Sequence, residues 1–211
     1  MKLPNSLLVL LLAAVGLSVA QRADAQLVLT NGNFQNTNGL TPTAGAPGWY
    51  DGVPAGWTGN SSTFNVINWN SGNFAANIQT LGPASPFNPL YQSVGQMDVT
   101  GDVTLNFSIL GFSGTYGIAA AIYNATPGGS PTTTWSALAT ASYSETSGSF
   151  QTLTASNVSV GTPIAVAFWS WAGAPGIDDV AVTAVPEPST YALLALSAAG
   201  IGAHVVRRRR R

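Results

Sequence analysis

Between residues 26 and 185 the apolar side chains recur with a period of two, and no stretch sustains a period of 3.6. In Asp102–Leu110, Val103, Leu105, Phe107 and Ile109 alternate with Thr104, Asn106 and Ser108. Successive side chains of a strand point to opposite faces, so this run reads as a strand with one apolar face. Tyr116–Tyr123 repeats the pattern, with Ser113-Gly114-Thr115 as the turn between the two. Further strands are expected at Gln26–Phe34, Phe64–Asn70, Ala76–Leu81, Leu90–Gln96, Thr134–Glu145, Phe150–Val160, Pro163–Trp171 and Gly176–Val185. Gly and Pro mark the loops Gly39–Pro54, Gly82–Pro89, Thr126–Pro131 and Gly173–Pro175. Many short strands between turn signals imply an all-β domain, an antiparallel β-sandwich of the jelly-roll kind.

The charge pattern narrows the chemistry. Residues 26–185 contain no Lys, Arg, His or Cys; their acids are Asp51, Asp98, Asp102, Glu145, Asp178 and Asp179. Without His or Cys there is no Ser-His-Asp or Cys-His nucleophile, and no ordinary zinc, copper or haem site. Without Lys or Arg there is no phosphate clamp and no footprint for nucleic acid. Glycoside hydrolysis needs two carboxylates at a set separation. No catalytic pair is recognisable, and alternation sends Asp178 and Asp179 to opposite faces, so the domain reads as non-enzymatic. No cofactor is required. What survives is carboxylate or calcium chemistry and aromatic or amide surfaces.

The two ends frame this domain. Lys2, the apolar run Leu7–Leu17 and the small-x-small site Ala23-Asp24-Ala25 follow the plan of a secretory signal peptide over residues 1–25, with Gln26 the first mature residue and a cut after Ala20 the rival. The β-sandwich then spans 26–184. At the other end, Val185, Pro186, Glu187, Pro188, Ser189 and Thr190 precede an apolar run, Tyr191–Val206. Its 16 residues would cover about 24 Å as a helix, short of a hydrocarbon core of about 30 Å. Arginine snorkelling closes that gap. Arg207, Arg208, Arg209, Arg210 and Arg211 act as a cytoplasmic stop, which leaves the domain outside.

This tripartite end, residues 185–211, resembles the PEP-CTERM sorting signal of Gram-negative bacteria. The resemblance implies export through the secretion machinery across the inner membrane, a membrane-anchored stage through the C-terminal helix, and processing by an exosortase near the motif. It also implies a destination at the cell surface or in the extracellular matrix, in organisms that make biofilm or exopolysaccharide. An ordinary single-span anchor on a Pro-rich stalk is the competing reading.

The domain has a second resemblance. Asn31-Gly32-Asn33-Phe34-Gln35, Pro54-Ala55-Gly56-Trp57, Leu90-Tyr91-Gln92-Ser93-Val94 and Gly176-Ile177-Asp178-Asp179-Val180 occur in the order found in galactose-binding-like jelly rolls, which include carbohydrate-binding modules. The resemblance implies a structural calcium ion between the first and last strands, held near Asp178, with Gln35 where the family has Glu. Calcium takes six to eight oxygen ligands. Alternation places Asp178 on the face of Val180 and Val182, and residues 26–185 hold no Lys or Arg to pair with it. An Asp hydrogen-bonded within its own loop is the alternative.

Aromatic side chains are the other candidates. On Pro163–Trp171, Ile164, Val166 and Phe168 share one face, and Trp169 and Trp171 the other. With the aliphatic set in the core, Trp169 and Trp171 face outward, and Trp57 and Trp69 lie in or near loops at the sandwich end. The four form a candidate sugar-stacking set; cover for a loop or a second small core is the bland alternative. The expected function is an exported envelope or matrix protein that associates with exopolysaccharide. A structural or adhesive protein without glycan affinity is the first alternative and an ice-binding protein the second. Ice binding needs a regular Thr face, which Pro131-Thr132-Thr133-Thr134 and Thr152-Leu153-Thr154 do not form.

Overall fold

The computed structural model describes residues 27–59, 64–70, 72–78, 89–111, 116–145, 149–186 and 200. Its strands are β1 (Thr41–Pro42), β2 (Trp49–Asp51), β3 (Phe64–Asn70), β4 (Asn73–Ile78), β5 (Leu90–Gln96), β6 (Gly101–Leu110), β7 (Tyr116–Asn124), β8 (Ser136–Glu145), β9 (Ser149–Val158), β10 (Pro163–Ala172) and β11 (Gly176–Pro186). They form a seven-stranded sheet, β1-β2-β3-β4-β11-β6-β9, and a four-stranded sheet, β5-β10-β7-β8. The pairings are antiparallel. The chain alternates between the sheets from β4 to β7 and again from β8 to β11. The all-β, two-sheet expectation holds. The signal helix and the transmembrane helix expected at the two ends fall outside the described residues, among which no helix is long and apolar enough to cross a membrane.

The core follows from the alternation. Val103, Leu105, Phe107 and Ile109 of β6 are fully buried, as are Ile164, Val166 and Phe168 of β10. Phe107 and Phe168 meet edge to face at 4.9 Å, and Trp57 lies 6.0 Å from Phe168 and 5.4 Å from Phe34. This aromatic chain ties the two sheets together; such pairs add about 1 kcal/mol each beyond the area they bury.

Two expectations are corrected. Gln26–Phe34 is not a strand over its described part. Leu27 and Leu29 pack on the core while Val28 is exposed, so the alternation is real. The backbone nevertheless turns at Asn31 and Phe34, both at φ 53, and the Asn31 side chain donates to Asn36 O and Ala55 O. Asn tolerates the left-handed region and bonds its own loop, so local side-chain bonds replace a ladder. Second, the expected loop Gly39–Pro54 contains β1 and β2, strands too short to carry a period.

Residues 27–34 instead run across the side of the sandwich. Val28 N donates to Val94 O on β5, and Val180 N on β11 donates to Gly32 O. Buried Gln92 secures the crossing: its Oε1 accepts from Thr30 N at 2.6 Å, and its Nε2 donates to Thr30 O at 3.0 Å and Gly56 O at 2.7 Å. Gln92→Leu keeps the size and strands these backbone groups, so it is expected to cost about 2 kcal/mol of unfolding free energy in a denaturant titration. An unchanged midpoint would show that water replaces the amide.

Candidate functional site

The outer face of the four-stranded sheet departs most from a solvated surface. On β7, Gly117, Ala119 and Ala121 point away from the core, and on β10, Ala165 and Ala167 do so; the four alanines are buried. The register sets these small residues side by side, Ala167 opposite both Ala121 and Tyr91, and Ala165 opposite Tyr123. Aromatic side chains stand around this floor.

At one end lies Trp171. A Cβ added to Gly117 would come within 2.4 Å of both Cδ2 and Cε2 of its indole. The ring therefore lies over the bare glycine backbone, a close approach that only Gly permits. Trp171 is still 44% exposed, so it offers a large aromatic surface to solvent. A bulge between Ser170 and Ala172 presents it, and the Ser170 hydroxyl, within reach of Gly117 O, Ala172 O and Gly173 O, holds the bulge. Trp169, opposite Ala119, is half-buried on the same face.

At the other end the β7–β8 connection brings in Trp135. Its indole N–H donates to Thr126 O at 3.0 Å, and its ring meets Tyr91 edge-on at 5.2 Å and Tyr123 at 5.9 Å. Tyr91 and Tyr123 sit on the strands that flank β10, so Trp135 bridges them above it. Burial pushes the Tyr123 hydroxyl above the usual phenol range, which keeps it neutral as a donor or acceptor. From Tyr123 to Gly117 along β7 is about 20 Å at the rise of a strand.

The tryptophans singled out in the sequence separate. Trp169 and Trp171 share this outer face, as their alternation implies. Trp57 is not at a loop surface: it is 7% exposed, packs between Phe34 and Phe168, and donates to Asn31 O. The side chain of Trp69 lies outside the described residues. Tyr91, Tyr123 and Trp135 were missed. Tyr91 was legible, since it alternates against Leu90, Gln92 and Val94. Trp135 falls inside the expected strand Thr134–Glu145, in alternation with Ala137, Ala139 and Ala141, whereas β8 begins only at Ser136 and leaves Trp135 in the connection before it.

Asp178 and Gln35 are brought together through a third residue. Asn73 Nδ2 donates to Asp178 Oδ2 at 3.0 Å, and Gln35 Nε2 donates to Asn73 Oδ1 at 3.0 Å. Asp179 N donates to Asp178 Oδ1 at 2.8 Å. Asp178 is 1% exposed, but simple alternation does not place it: the backbone enters the left-handed region at Asp179 (φ 50), and Ile177 and Val180, three residues apart, both lie in the core. Desolvation raises its pKa to about 6, the neighbouring Asp179 charge adds to the rise, and the bonds from Asp179 N and Asn73 oppose it. Calcium needs an oxygen cage. Here amide nitrogens face the carboxylate, and among the described residues no three His, Cys, Asp or Glu cluster. As arranged, the donor set fits a buried carboxylate better than a cation.

Of the sorting segment, Val185 and Pro186 end β11; Glu187 to Thr190, Arg207 to Arg211, and the cleavage residues Ala23, Ala25 and Gln26 lie outside the described residues.

Comparison with known proteins identifies residues 184–211 as a PEP-CTERM protein-sorting motif. No curated protein sequence matches the chain. Among solved structures, a CBM4 module is 16% identical over 74% of this chain and 99% of its own, with a TM-score of 0.48. TmCBM61, solved with β-1,4-galactotriose, is 20% identical over 76% and 100%, with a TM-score of 0.43. The CBM22-2 xylan-binding domain of Paenibacillus barcinonensis Xyn10C is 13% identical over 62% and 92%, with a TM-score of 0.43.

Proposed function

We propose, from the PEP-CTERM motif as premise, that this protein is exported, processed by an exosortase, and delivered outside the inner membrane to associate with neutral exopolysaccharide through the outer face of its four-stranded sheet. One observation carries the sugar-binding part: the exposed indole of Trp171, seated over Gly117. The apolar faces of pyranose rings stack on such a surface. Tyr91, Tyr123 and Trp135 supply further aromatic contact and hydroxyl groups at the far end. With six acids and no base in residues 26–185, the domain repels uronates and sulfated or phosphorylated glycans. Binding without turnover is the activity this surface supports.

The test is retention of the 26–185 segment on a panel of neutral and acidic polysaccharides, with calcium and with EDTA. Retention on a neutral glycan, undiminished by EDTA, is expected. Retention on acidic glycans alone, or on none, would refute the reading.

A structural or adhesive role without glycan affinity is favoured by a different observation. Trp169 is half-buried opposite buried Ala119, and Trp135 is half-buried against Tyr91 and Tyr123, as rings that merely cover a second small core would be. On that reading Trp171→Ala alters stability and leaves every retention at background.

A further inference from the structure

We infer that Asn38 is a self-modification site, at which the folded chain converts its own amide to aspartate or isoaspartate and gains a negative charge with time, independently of the proposed sugar face. An Asn or Asp before Gly is where this reaction meets least hindrance, because Gly has no Cβ to shield its backbone nitrogen. The chain holds three such pairs: Asn31-Gly32, Asn38-Gly39 and Asp51-Gly52.

Two of them are clamped. The Asn31 amide is bonded at both ends: its Oδ1 accepts from Asn36 N at 3.0 Å, and its Nδ2 donates to Asn36 O and Ala55 O, each at 3.2 Å. Gly32 has no room to turn, since a Cβ there would lie 2.2 Å from Val180 O, and its own carbonyl accepts from Val180 N. At Asp51-Gly52 the attacking nitrogen is engaged, because Gly52 N donates to Phe64 O at 3.2 Å, and Asp51 Oδ1 accepts from Asn65 Nδ2.

Asn38-Gly39 has neither restraint. Leu40 N donates to Thr37 O at 3.1 Å and Gly39 sits at φ 84, so the pair forms the two central positions of a type II turn. Both residues are exposed, and a Cβ placed on Gly39 would meet nothing within 4 Å. Asn36 Oδ1 accepts from Asn38 N at 3.1 Å, a bond that holds the backbone and not the amide.

In the reaction Gly39 N gives its proton to solvent base and attacks Asn38 Cγ. A Cγ–N bond forms, the Cγ–Nδ2 bond breaks, and Nδ2 takes up a proton and leaves as ammonia. Water then opens the cyclic imide at either carbonyl, which yields aspartate or isoaspartate. Water is the one co-reactant. Residues 26–185 hold six acids and no base, so each event adds to an uncompensated negative charge.

The test incubates the full chain in detergent, in mildly alkaline buffer made with oxygen-18 water, once folded and once in urea. Chymotryptic peptides report the two asparagines separately, because Phe34 lies between them. In the folded chain, label at Asn38 is expected to exceed label at Asn31 about tenfold or more, the scale of the hydrogen bonds that must first open around Asn31. In urea the two are expected to label alike. Asn38→Ala is expected to remove the acidic band that isoelectric focusing resolves in the aged folded chain. Equal labelling of the two sites in the folded chain, an unlabelled Asn38 there, an Asn38 excess that persists in urea, or an acidic band that survives Asn38→Ala would each overturn the inference.

Discussion

Replacing Trp171 by Ala, or Trp135 by Ala, is expected to lower affinity for a retained neutral polysaccharide by about 10- to 100-fold, with the domain still folded. A factor of ten is about 1.4 kcal/mol, the scale of one lost aromatic contact at a binding surface. Trp171 lies over Gly117 from the solvent side, so its removal uncovers backbone but opens no cavity in the core. Trp135 is held by Thr126 O and by Tyr91 and Tyr123, and its loss frees the β7–β8 connection. Affinity electrophoresis in gels that contain the glycan measures the change, and far-ultraviolet circular dichroism checks the fold. Gly117→Val should mimic Trp171→Ala, because its side chain would occupy the position of the indole. If both tryptophan variants fold and bind like the parent, the face is cover and not a site.

The stability of the domain is expected to fall as pH rises from about 4 to about 6, by about 3 kcal/mol from Asp178 alone. The carboxyl is raised to about 6 in the folded state, chiefly by desolvation, against an ordinary value of 3.8. The folded protein thus holds this proton more tightly than the unfolded chain does. Its stabilising effect is full below the unfolded pKa, declines through the window between the two values, and is gone above about 6. Asp178→Asn carries no buried charge, so its stability should be flat across that window and exceed that of the parent at pH 7. Denaturant titrations at half-unit steps from pH 3.5 to 7.5, on both proteins, measure the difference. An equal slope in the variant would assign the effect elsewhere. The same titration with millimolar calcium separates the two readings of this carboxylate. If amides alone accommodate Asp178, calcium leaves the midpoint at pH 7 unchanged; if an oxygen cage can form, calcium raises it and Asp178→Asn abolishes the rise.

Both predictions rest on placements that sequence reasoning reached only in part. Period-two runs located β5 to β10 within a few residues, because a half-buried strand writes its burial into every second position. Periodicity also put Trp169 and Trp171 opposite Ile164, Val166 and Phe168. It failed where the chain departs from regular backbone. Asn31 and Phe34 turn an alternating segment into a crossing one, and Asp179 shifts the faces of β11. Trp57 lies beside turn residues in the sequence and ends in the core, because the turn Pro54–Trp57 folds it inward against Phe34 and Phe168.

The sequence by itself determined the all-β class, the exclusion of His-, Cys- and Lys-dependent chemistry from residues 26–185, and the sorting signal at residues 184–211. Each depends on composition or on a contiguous pattern, which the chain carries whatever its fold. The tertiary structure alone decided that Trp171 lies over Gly117, that Trp135 bridges Tyr91 and Tyr123, and that Asp178, Asn73 and Gln35 share one chain of hydrogen bonds. Those groups lie far apart along the chain. Strand order and register bring them together, and a local pattern records neither.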